Sequence, residues 1–390
     1  MTLGNAARER TAGLLDELRA PSPEFLLGLL FLLSSLMGLG RVLAPYTEVS
    51  PATFRVVASV PVALAFVVAA PSVVSRVRPR AAVVLWLFLL ACLSSGVLGL
   101  PGAGDFLEEE LAMILLCILW FLVGASQRRY ASSSFWLTTA ALLSLPAAFA
   151  GALGEGGTFE QVGEYSQGAA YALYFPAVAL FTGFLQSRKL MLLLLSVVAV
   201  AASAAMGARG PLVSYVAFVA LALMVVAAKP SGRRRWLIGL LGSLGVAGAA
   251  LGEARFVEFF VPEWGSDRLH LRAEQGTFLE DASRRRLWAK SADLISNHPA
   301  FGLGVGGDRV LLAQEERLAD FGGVYSHNLV LELLLQFGLV VGSALVLLLA
   351  ISLVGALAAP QPRGFADLVV TFVGFSLPLL ISGSYLRWPF

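Results

Sequence analysis

Long apolar stretches alternate with short polar connections along most of this 390-residue chain. A helix needs roughly 20 apolar residues to cross the hydrocarbon of a membrane, because only then do its backbone groups satisfy one another away from water. Eleven stretches approach or exceed that length and are predicted to span a membrane: 25–44, 54–74, 81–100, 111–126, 131–152, 169–186, 190–208, 211–228, 237–252, 337–357 and 367–384. The pattern therefore predicts an all-α, polytopic integral membrane protein with about 11 transmembrane helices.

One long polar segment interrupts this pattern. Residues 253–326 hold nine of the 28 Lys and Arg residues and twelve of the 26 Asp and Glu residues. The three histidines of the chain lie in this segment or directly after it: His270, His298 and His327. We therefore predict three parts: transmembrane helices in 1–252, a polar segment with short helices and the candidate chemistry in 253–336, and two further transmembrane helices in 337–390.

Composition supports a membrane protein and excludes some partners. The chain is 57% hydrophobic and 14% charged, with a mean hydropathy of +0.78, whereas soluble domains carry about 25% charged residues. A net charge of +2 is too small to indicate a nucleic-acid partner. Cys92 and Cys117 lie inside apolar stretches, where cysteine is typically a small core residue and not half of a disulfide.

The connections between the apolar stretches alternate in charge. Every second connection is basic, and the intervening short ones are acidic or neutral. Lys and Arg mark the cytoplasmic side of short loops. The alternation predicts a cytoplasmic N-terminus and a position outside the cytoplasm for residues 253–326. The arginines of this long segment do not oppose that prediction, because long translocated segments largely escape the charge rule.

Within the outer segment, residues 282–297 show the pattern of an amphipathic helix. The predicted apolar face contains Leu287, Ala289, Ala292, Leu294 and Ile295. The basic face contains Lys290 and the run Arg284, Arg285 and Arg286. Three consecutive arginines cover most of a helical turn, so at most one or two of them can face a single site; a solvated face is the alternative.

Residues 302–307 formally match the GxGxxG fingerprint of dinucleotide-binding proteins. That fingerprint needs a preceding buried strand in a βαβ unit, and the surrounding sequence predicts none. A tight, close-packed glycine loop is the interpretation that the sequence favours.

Two further residues are candidates for chemistry. Arg209 is the charged residue of a predicted outer turn, and Pro211 suits the first position of the next helix. A guanidinium beside a helix N-terminus can bind an anion, although an arginine reaching to the interface is the alternative. His327 lies between Ser326 and Asn328, both good helix caps, so it is either a functional imidazole or an exposed neighbour of a cap.

Four short elements occur in the order that is typical of the O-antigen ligase and polymerase family, and the sequence resembles that family through them. They cover about 190–350 and are Met206–Gly210, Ser283-Arg284 with Trp288, Asn297–Gly304, and His327-Asn328-Leu329 continued to Gly338. This chain has Ala208 where the family usually has serine. The family commonly has twelve helices, and we expect eleven before Phe390.

The resemblance implies a GT-C-like membrane glycosyltransferase of the inner membrane with a periplasmic active site. Such enzymes move a glycan from an undecaprenyl-diphosphate carrier to an acceptor hydroxyl, with inversion, without a metal and without a cofactor. By this resemblance Arg209 and Arg284 bind the diphosphate, and His327 is the general base or hydrogen-bond acceptor for the incoming hydroxyl. Substrate-binding residues are then expected at Arg285, Arg286, Asn328 and His298.

Three functions remain open at this point. An O-antigen ligase would use lipid A-core as the acceptor, whereas a polymerase would join glycan repeat units to one another. Polymerases often carry a second large outer loop. Here only one outer segment is long, because the connection 153–168 is short, and this favours the ligase. A lipid or glycan transporter without chemistry is the alternative of another class, but charges are scarce in the middle of the predicted spans, where transporters place them. If the reaction used a metal, Glu108 and Glu110 would be the candidate ligands.

Overall fold

The computed structural model describes residues 21–37, 51–98, 111–154, 167–206, 209–228, 282–313, 326–358 and 364–381. Within these ranges the regular elements are helices and no strand occurs, which confirms the all-α prediction. The helices are α1 Pro23–Met37, α2 Pro51–Arg76, α3 Pro79–Leu98, α4 Leu111–Ser126, α5 Tyr130–Gly154, α6 Gln167–Ser187, α7 Leu190–Ala205, α8 Arg209–Ala228, α9 Ala282–Asn297, α10 Gly307–Ala313, α11 Leu329–Ala358 and α12 Phe365–Ile381.

Several of these helices suit a membrane. Among the described residues three are long and apolar enough to cross one: Tyr130–Ala150, Ala170–Ser187 and Leu329–Leu357. The pair Val60–Arg76 and Pro79–Leu87, bent by 111°, would add a fourth if it formed one span, and five shorter apolar helices accompany them. The chain is therefore a membrane protein, while the number of eleven spans stays a prediction. The predicted span 237–252 lies outside the described residues.

Close helix contacts build the bundle. A Cβ added at Gly28 of α1 would lie 2.9 Å from the carbonyl oxygen of Trp136 in α5, so glycine is required for this approach. Ser196 of α7 donates to the carbonyl oxygen of Ala177 in α6 at 2.6 Å, and Ser203 donates to that of Ala170 at 2.8 Å. In lipid, helices associate through the close packing that small residues allow and through interhelical hydrogen bonds, because burial of apolar surface gives no advantage there.

A buried carboxylate organises one end of the bundle. Glu24 is 2% exposed and lies 3.5 Å from the guanidinium of Arg76. Its carboxylate also accepts from the backbone amides of Arg128 at 3.4 Å and Arg129 at 3.1 Å. The start of α1, the end of α2 and the start of α5 therefore meet here, at what we call the basic end.

The outer segment lies at the opposite end. The rings of Tyr130 and Phe365 are 4.9 Å apart, which places the start of α12 at the basic end. Near the other terminus of α12, the carbonyl oxygen of Leu380 accepts from the amide of Asn328 at 3.2 Å. We call this the site end. The arrangement agrees with the predicted alternation of basic and non-basic connections.

α11 is interrupted at Gly338. This glycine has φ 73° and ψ 178°, a combination that is essentially restricted to glycine. A Cβ at Gly342 would lie 2.7 Å from the carbonyl oxygen of Leu333, so the two halves fold sharply against each other. The short arm is 329–337. The long arm, 339–358, has 20 residues, which is about 30 Å and enough to cross the hydrocarbon by itself.

A loop from the outer segment fills this break. The amides of Leu303 and Gly304 donate to the carbonyl oxygens of Leu335, at 2.7 Å, and Gln336, at 3.0 Å. In return the amide of Leu339 donates to the carbonyl oxygen of Pro299 at 2.8 Å. The loop therefore pairs backbone groups that a continuous helix would have paired itself.

The glycines of this loop are needed for close packing. Gly302 has φ 68°, and a Cβ there would lie 2.5 Å from the backbone nitrogen of Gly338. The interpretation of 302–307 as a close-packed loop, and not as a nucleotide fingerprint, is thereby confirmed.

A buried polar cluster locks the short arm to α10. Asp308 and Arg309 from α10 and Glu332 and Gln336 from the short arm are all at most 5% exposed. Arg309 pairs with the carboxylate of Glu332, and its Nε lies 3.6 Å from Oδ2 of Asp308. Gln336 donates to Oδ1 of Asp308 at 2.9 Å. One guanidinium thus stands between two carboxylates, away from solvent.

We expect Gly338→Ala to lower the free energy of unfolding by about 3 kcal/mol, because the side chain cannot adopt this backbone conformation and its Cβ would lie 2.5 Å from the carbonyl oxygen of Ala300. Gly355→Ala in the long arm is the matched control, since nothing lies within 4 Å of its added Cβ. It should be neutral or stabilising by up to about 1 kcal/mol. Thermal unfolding in detergent measures both, and equal melting temperatures would contradict the required break.

The buried cluster predicts an unequal response to loss of charge. Arg309→Met leaves two buried carboxylates without their cation and should cost roughly 3–5 kcal/mol. Glu332→Gln leaves one positive and one negative group and should cost about 1–2 kcal/mol. Lys290→Met, in a surface pair with Asp293 at 3.8 Å, is the control and should cost under about 1 kcal/mol. If thermal unfolding shows equal losses of stability for Glu332→Gln and Arg309→Met, the balance of buried charges does not determine the stability of the cluster.

Candidate functional site

One face of α9 shares a buried apolar cluster with Leu303 of the following loop, Leu312 of α10 and Leu335 of the short arm. Its buried residues are Leu287, Ser291, Leu294 and Ile295. Leu287, Leu294 and Ile295 were predicted, but Ala289 and Ala292 are exposed, so the prediction was wrong for these two. The reason is geometric: the covered stripe is narrower than the apolar pattern, and small alanines tolerate solvent without penalty.

The arginine run straddles the edge of this covered face. Arg285 and Arg286 are exposed, whereas the structure describes the backbone of Arg284 but not its side chain. At 100° per residue, position 284 lies about 60° from Leu287 and about 40° from Trp288, while Arg286 lies about 160° from Trp288. Helix register therefore separates the three arginines, with position 284 toward the covered face.

Trp288 connects α9 to the predicted catalytic histidine. Its indole Nε1 donates to the carbonyl oxygen of Ser326 at 2.9 Å, and Ser326 is fully buried. Ser326 directly precedes His327 in the sequence. Trp288 of the second motif thus contacts the residue that directly precedes the fourth motif.

His327 stands at a constrained turn. It has φ 52°, in the left-handed region that costs a non-glycine residue roughly 1–2 kcal/mol. The next residue, Asn328, caps the short arm, because its side-chain oxygen accepts from the amides of Val330 at 3.0 Å and Leu331 at 3.2 Å. The orientation of the His327 backbone is therefore fixed from both neighbours.

His298 ends α9 and begins the loop that fills the break. Its carbonyl oxygen accepts from the amide of Gly302 at 3.2 Å. Its Nδ1 is buried and has no hydrogen-bond partner within the described part of the chain. The residue as a whole is half-buried.

Arg209 reaches the same end of the bundle. The amide of Gln186, at the end of α6, donates to Ser134 near the start of α5 at 2.8 Å, so α6 finishes at the basic end. α7 runs back from there, and α8 begins with Arg209 at the site end. The structure describes the backbone of Arg209 and not its side chain.

The start of α8 corrects one prediction. Pro211 was expected at the first position of the helix, but α8 begins at Arg209 and Pro211 is its third residue. Proline is tolerated there because the first-turn amides have no partner within the helix. Arg209 therefore belongs to the first helical turn and is next to those amides.

One functional feature was not predicted from the sequence: the buried cluster of Asp308, Arg309, Glu332 and Gln336. The available signal was the spacing of Glu332 and Gln336, four residues apart in an otherwise apolar stretch. Such a pair shares one helix face and needs buried polar partners. No group of three metal-ligating side chains occurs within the described ranges, and Glu108, Glu110 and His270 lie outside them.

Comparison with known families covers this region. Residues 194–347 match the family model described as O-antigen ligase. The match contains the start of α8, α9, the loop at Gly302, His327 and the break at Gly338. No curated protein matches the chain. The resemblance to the O-antigen ligase and polymerase family of membrane glycosyltransferases, predicted from four motifs, is thereby confirmed over residues 194–347.

Proposed function

We propose that this protein is an O-antigen ligase, which transfers a glycan from undecaprenyl diphosphate to a hydroxyl of lipid A-core. The reaction takes place at the periplasmic face of the cell inner membrane, with the N-terminus in the cytoplasm. The observation that carries the proposal is the joining of α9 to His327 through Trp288 and Ser326 at the end of the bundle where α8 begins with Arg209. The proposed catalytic part is 253–336, between membrane parts 1–252 and 337–390.

Arg284 and Arg209 bind the donor diphosphate. The register of α9 supports Arg284 over its two neighbours, and the first-turn amides of α8 add their positive dipole beside Arg209. Guanidinium groups bind phosphate oxygens in pairs. Next to a low-dielectric membrane they stabilise the charge that develops on the leaving diphosphate. The exposed Arg285 and Arg286 contribute long-range attraction for the anionic donor.

His327 serves the acceptor. Its imidazole accepts the proton of the acceptor hydroxyl while that oxygen attacks the anomeric carbon and the carbon–phosphate oxygen bond breaks. Attack opposite the leaving diphosphate inverts the anomeric centre. The donor is already activated by its diphosphate, so we propose that no metal and no cofactor take part.

The remaining candidates have supporting roles. Asn328 positions His327, because its oxygen caps the short arm and its amide contacts the end of α12; any contact with substrate comes from the amide. His298 binds substrate through the solvent-accessible part of its side chain, since the residue is half-buried. Both lie beside backbone that is fixed by hydrogen bonds, which suits groups that must hold a substrate in one orientation.

A polymerase that joins repeat units is the second candidate. The matched family includes both activities, and the proposed site serves either one. The presence of one long outer segment, against short connections elsewhere, favours a ligase, since polymerases often carry a second large outer loop.

The ligase proposal predicts the product. Purified protein in liposomes, given undecaprenyl-diphosphate glycan and lipid A-core, should form glycosylated lipid A-core and free undecaprenyl diphosphate. His327→Ala should reduce this transfer roughly 10²–10⁴-fold, the usual contribution of a positioned general base. His327→Gln should stay equally low if proton transfer is the role, since glutamine cannot take up the proton.

Each outcome of this experiment decides something. Longer lipid-linked glycan without lipid A-core would replace the ligase by the polymerase. Full activity of His327→Ala would remove the imidazole from the mechanism. Donor appearing inside the vesicles without any new glycosidic bond would indicate a transporter.

The arginine run provides its own matched control. Arg284→Ala should reduce transfer roughly 10²–10³-fold, because it removes a cation from the developing diphosphate charge. Arg286→Ala, two positions along and on the exposed side, should change transfer less than about threefold. Single-turnover transfer and donor binding should both separate these variants. Equal losses would contradict the assignment by helix register.

A further inference from the structure

Phe301 is an exposed aromatic residue without a structural reason to be exposed. It is 87% exposed, the highest value among the large hydrophobic residues that the structure describes. The other exposed ones lie on apolar helices, apart from Trp288 at 37%. Phe301 instead lies at the tip of the loop between α9 and α10. A large ring in water at this position indicates a missing apolar partner.

The tip is rigid. Pro299 and Ala300, directly before Phe301, are exposed as well, so the three residues form one apolar projection. Hydrogen bonds fix it on both sides: Pro299 accepts from the amide of Leu339, and Leu303 donates to the carbonyl oxygen of Leu335. The projection is therefore held in one place relative to α11.

Its position along the membrane normal follows from the same bonds. Leu339 is the first residue of the long arm, and Leu339, Val340 and Val341 are 43%, 72% and 46% exposed. Only 11% of the most apolar stretch of α11 is buried, so the long arm has the exposed apolar surface that suits contact with hydrocarbon. Because Pro299 is bonded to Leu339 at 2.8 Å, the tip lies where the long arm enters the lipid.

We propose that Pro299, Ala300 and Phe301 form a membrane anchor, and that the ring of Phe301 inserts among the acyl chains of the outer leaflet. Continuity with the exposed start of the long arm identifies the phospholipid leaflet as the partner. An apolar residue at the boundary of headgroups and acyl chains holds an outer segment at that depth.

The anchor has a consequence that rests on the proposed function. His298 precedes the projection directly, and α9 ends there. Insertion of Phe301 would hold both at the level of the lipid headgroups, where the diphosphate of a membrane-bound donor lies. The depth of the tip itself does not depend on any glycan transfer.

Depth can be measured with nitroxide labels on the full chain in phosphatidylethanolamine–phosphatidylglycerol liposomes. The background carries Cys92→Ala and Cys117→Ala, and single labels are placed with Phe301→Cys, Val340→Cys and Ser296→Cys. Val340 is the reference for hydrocarbon, and Ser296, exposed on α9, is the reference for water. Collision with oxygen, which concentrates in lipid, is compared with collision with a water-soluble nickel chelate.

We expect an oxygen-to-nickel ratio at position 301 that matches position 340 and exceeds position 296 several-fold. A ratio equal to that at 296 would overturn the anchor. Protection from both agents, or spin–spin broadening between labels of two molecules, would also overturn it, because protein would then cover the tip. Phe301→Asp should lose glycan transfer while Phe301→Trp keeps it. Absent transfer in the unsubstituted protein, with the label still in lipid, would remove the proposed function and leave the anchor standing.

Discussion

The break at Gly338 sets the constraint on which the site end depends. A helix that is interrupted beside the membrane leaves carbonyl and amide groups that lipid cannot satisfy, at a cost of several kcal/mol for each. Here the carbonyl oxygens of Leu335 and Gln336 and the amide of Leu339 all find partners in the loop after α9. The loop can approach because Gly302 meets Gly338 without side chains between them. Backbone pairing thus determines where the outer segment sits.

The geometry of the candidate site depends on how the loop after α9 packs into the break at Gly338. Once the loop is in place, α10 lies against the short arm and the buried pair of Arg309 and Glu332 can form. The short arm begins with the cap at Asn328, and His327 precedes that cap. Trp288 fixes the same point from α9. The proposed base is therefore carried by rigid elements on both sides, which is what a reaction that depends on orientation needs.

Helix propensity and apolar length decided much of the fold from the sequence. A stretch of about 20 apolar residues forms a helix in lipid because only then are its backbone groups satisfied. The alternation of loop charges predicted two different ends of the bundle, and the contacts of Glu24 at one end and Asn328 at the other agree with it. The ordered motifs predicted the family. Periodicity was less reliable at the edges, where Ala289 and Ala292 proved exposed and Pro211 took the third helical position.

Tertiary structure alone decided the rest, because local sequence does not encode which distant groups meet. Arg309 pairs with Glu332, 23 residues away in the sequence, and the residues around neither one predict the other as its partner. The apolar run after Leu329 looks continuous, yet its glycine takes a conformation that only the docked loop stabilises. The exposure of Phe301 likewise appears only when its neighbours are packed. The sequence determined the helices and their order. The site was determined by backbone hydrogen bonds and charge pairs between those helices, which form only in the folded protein.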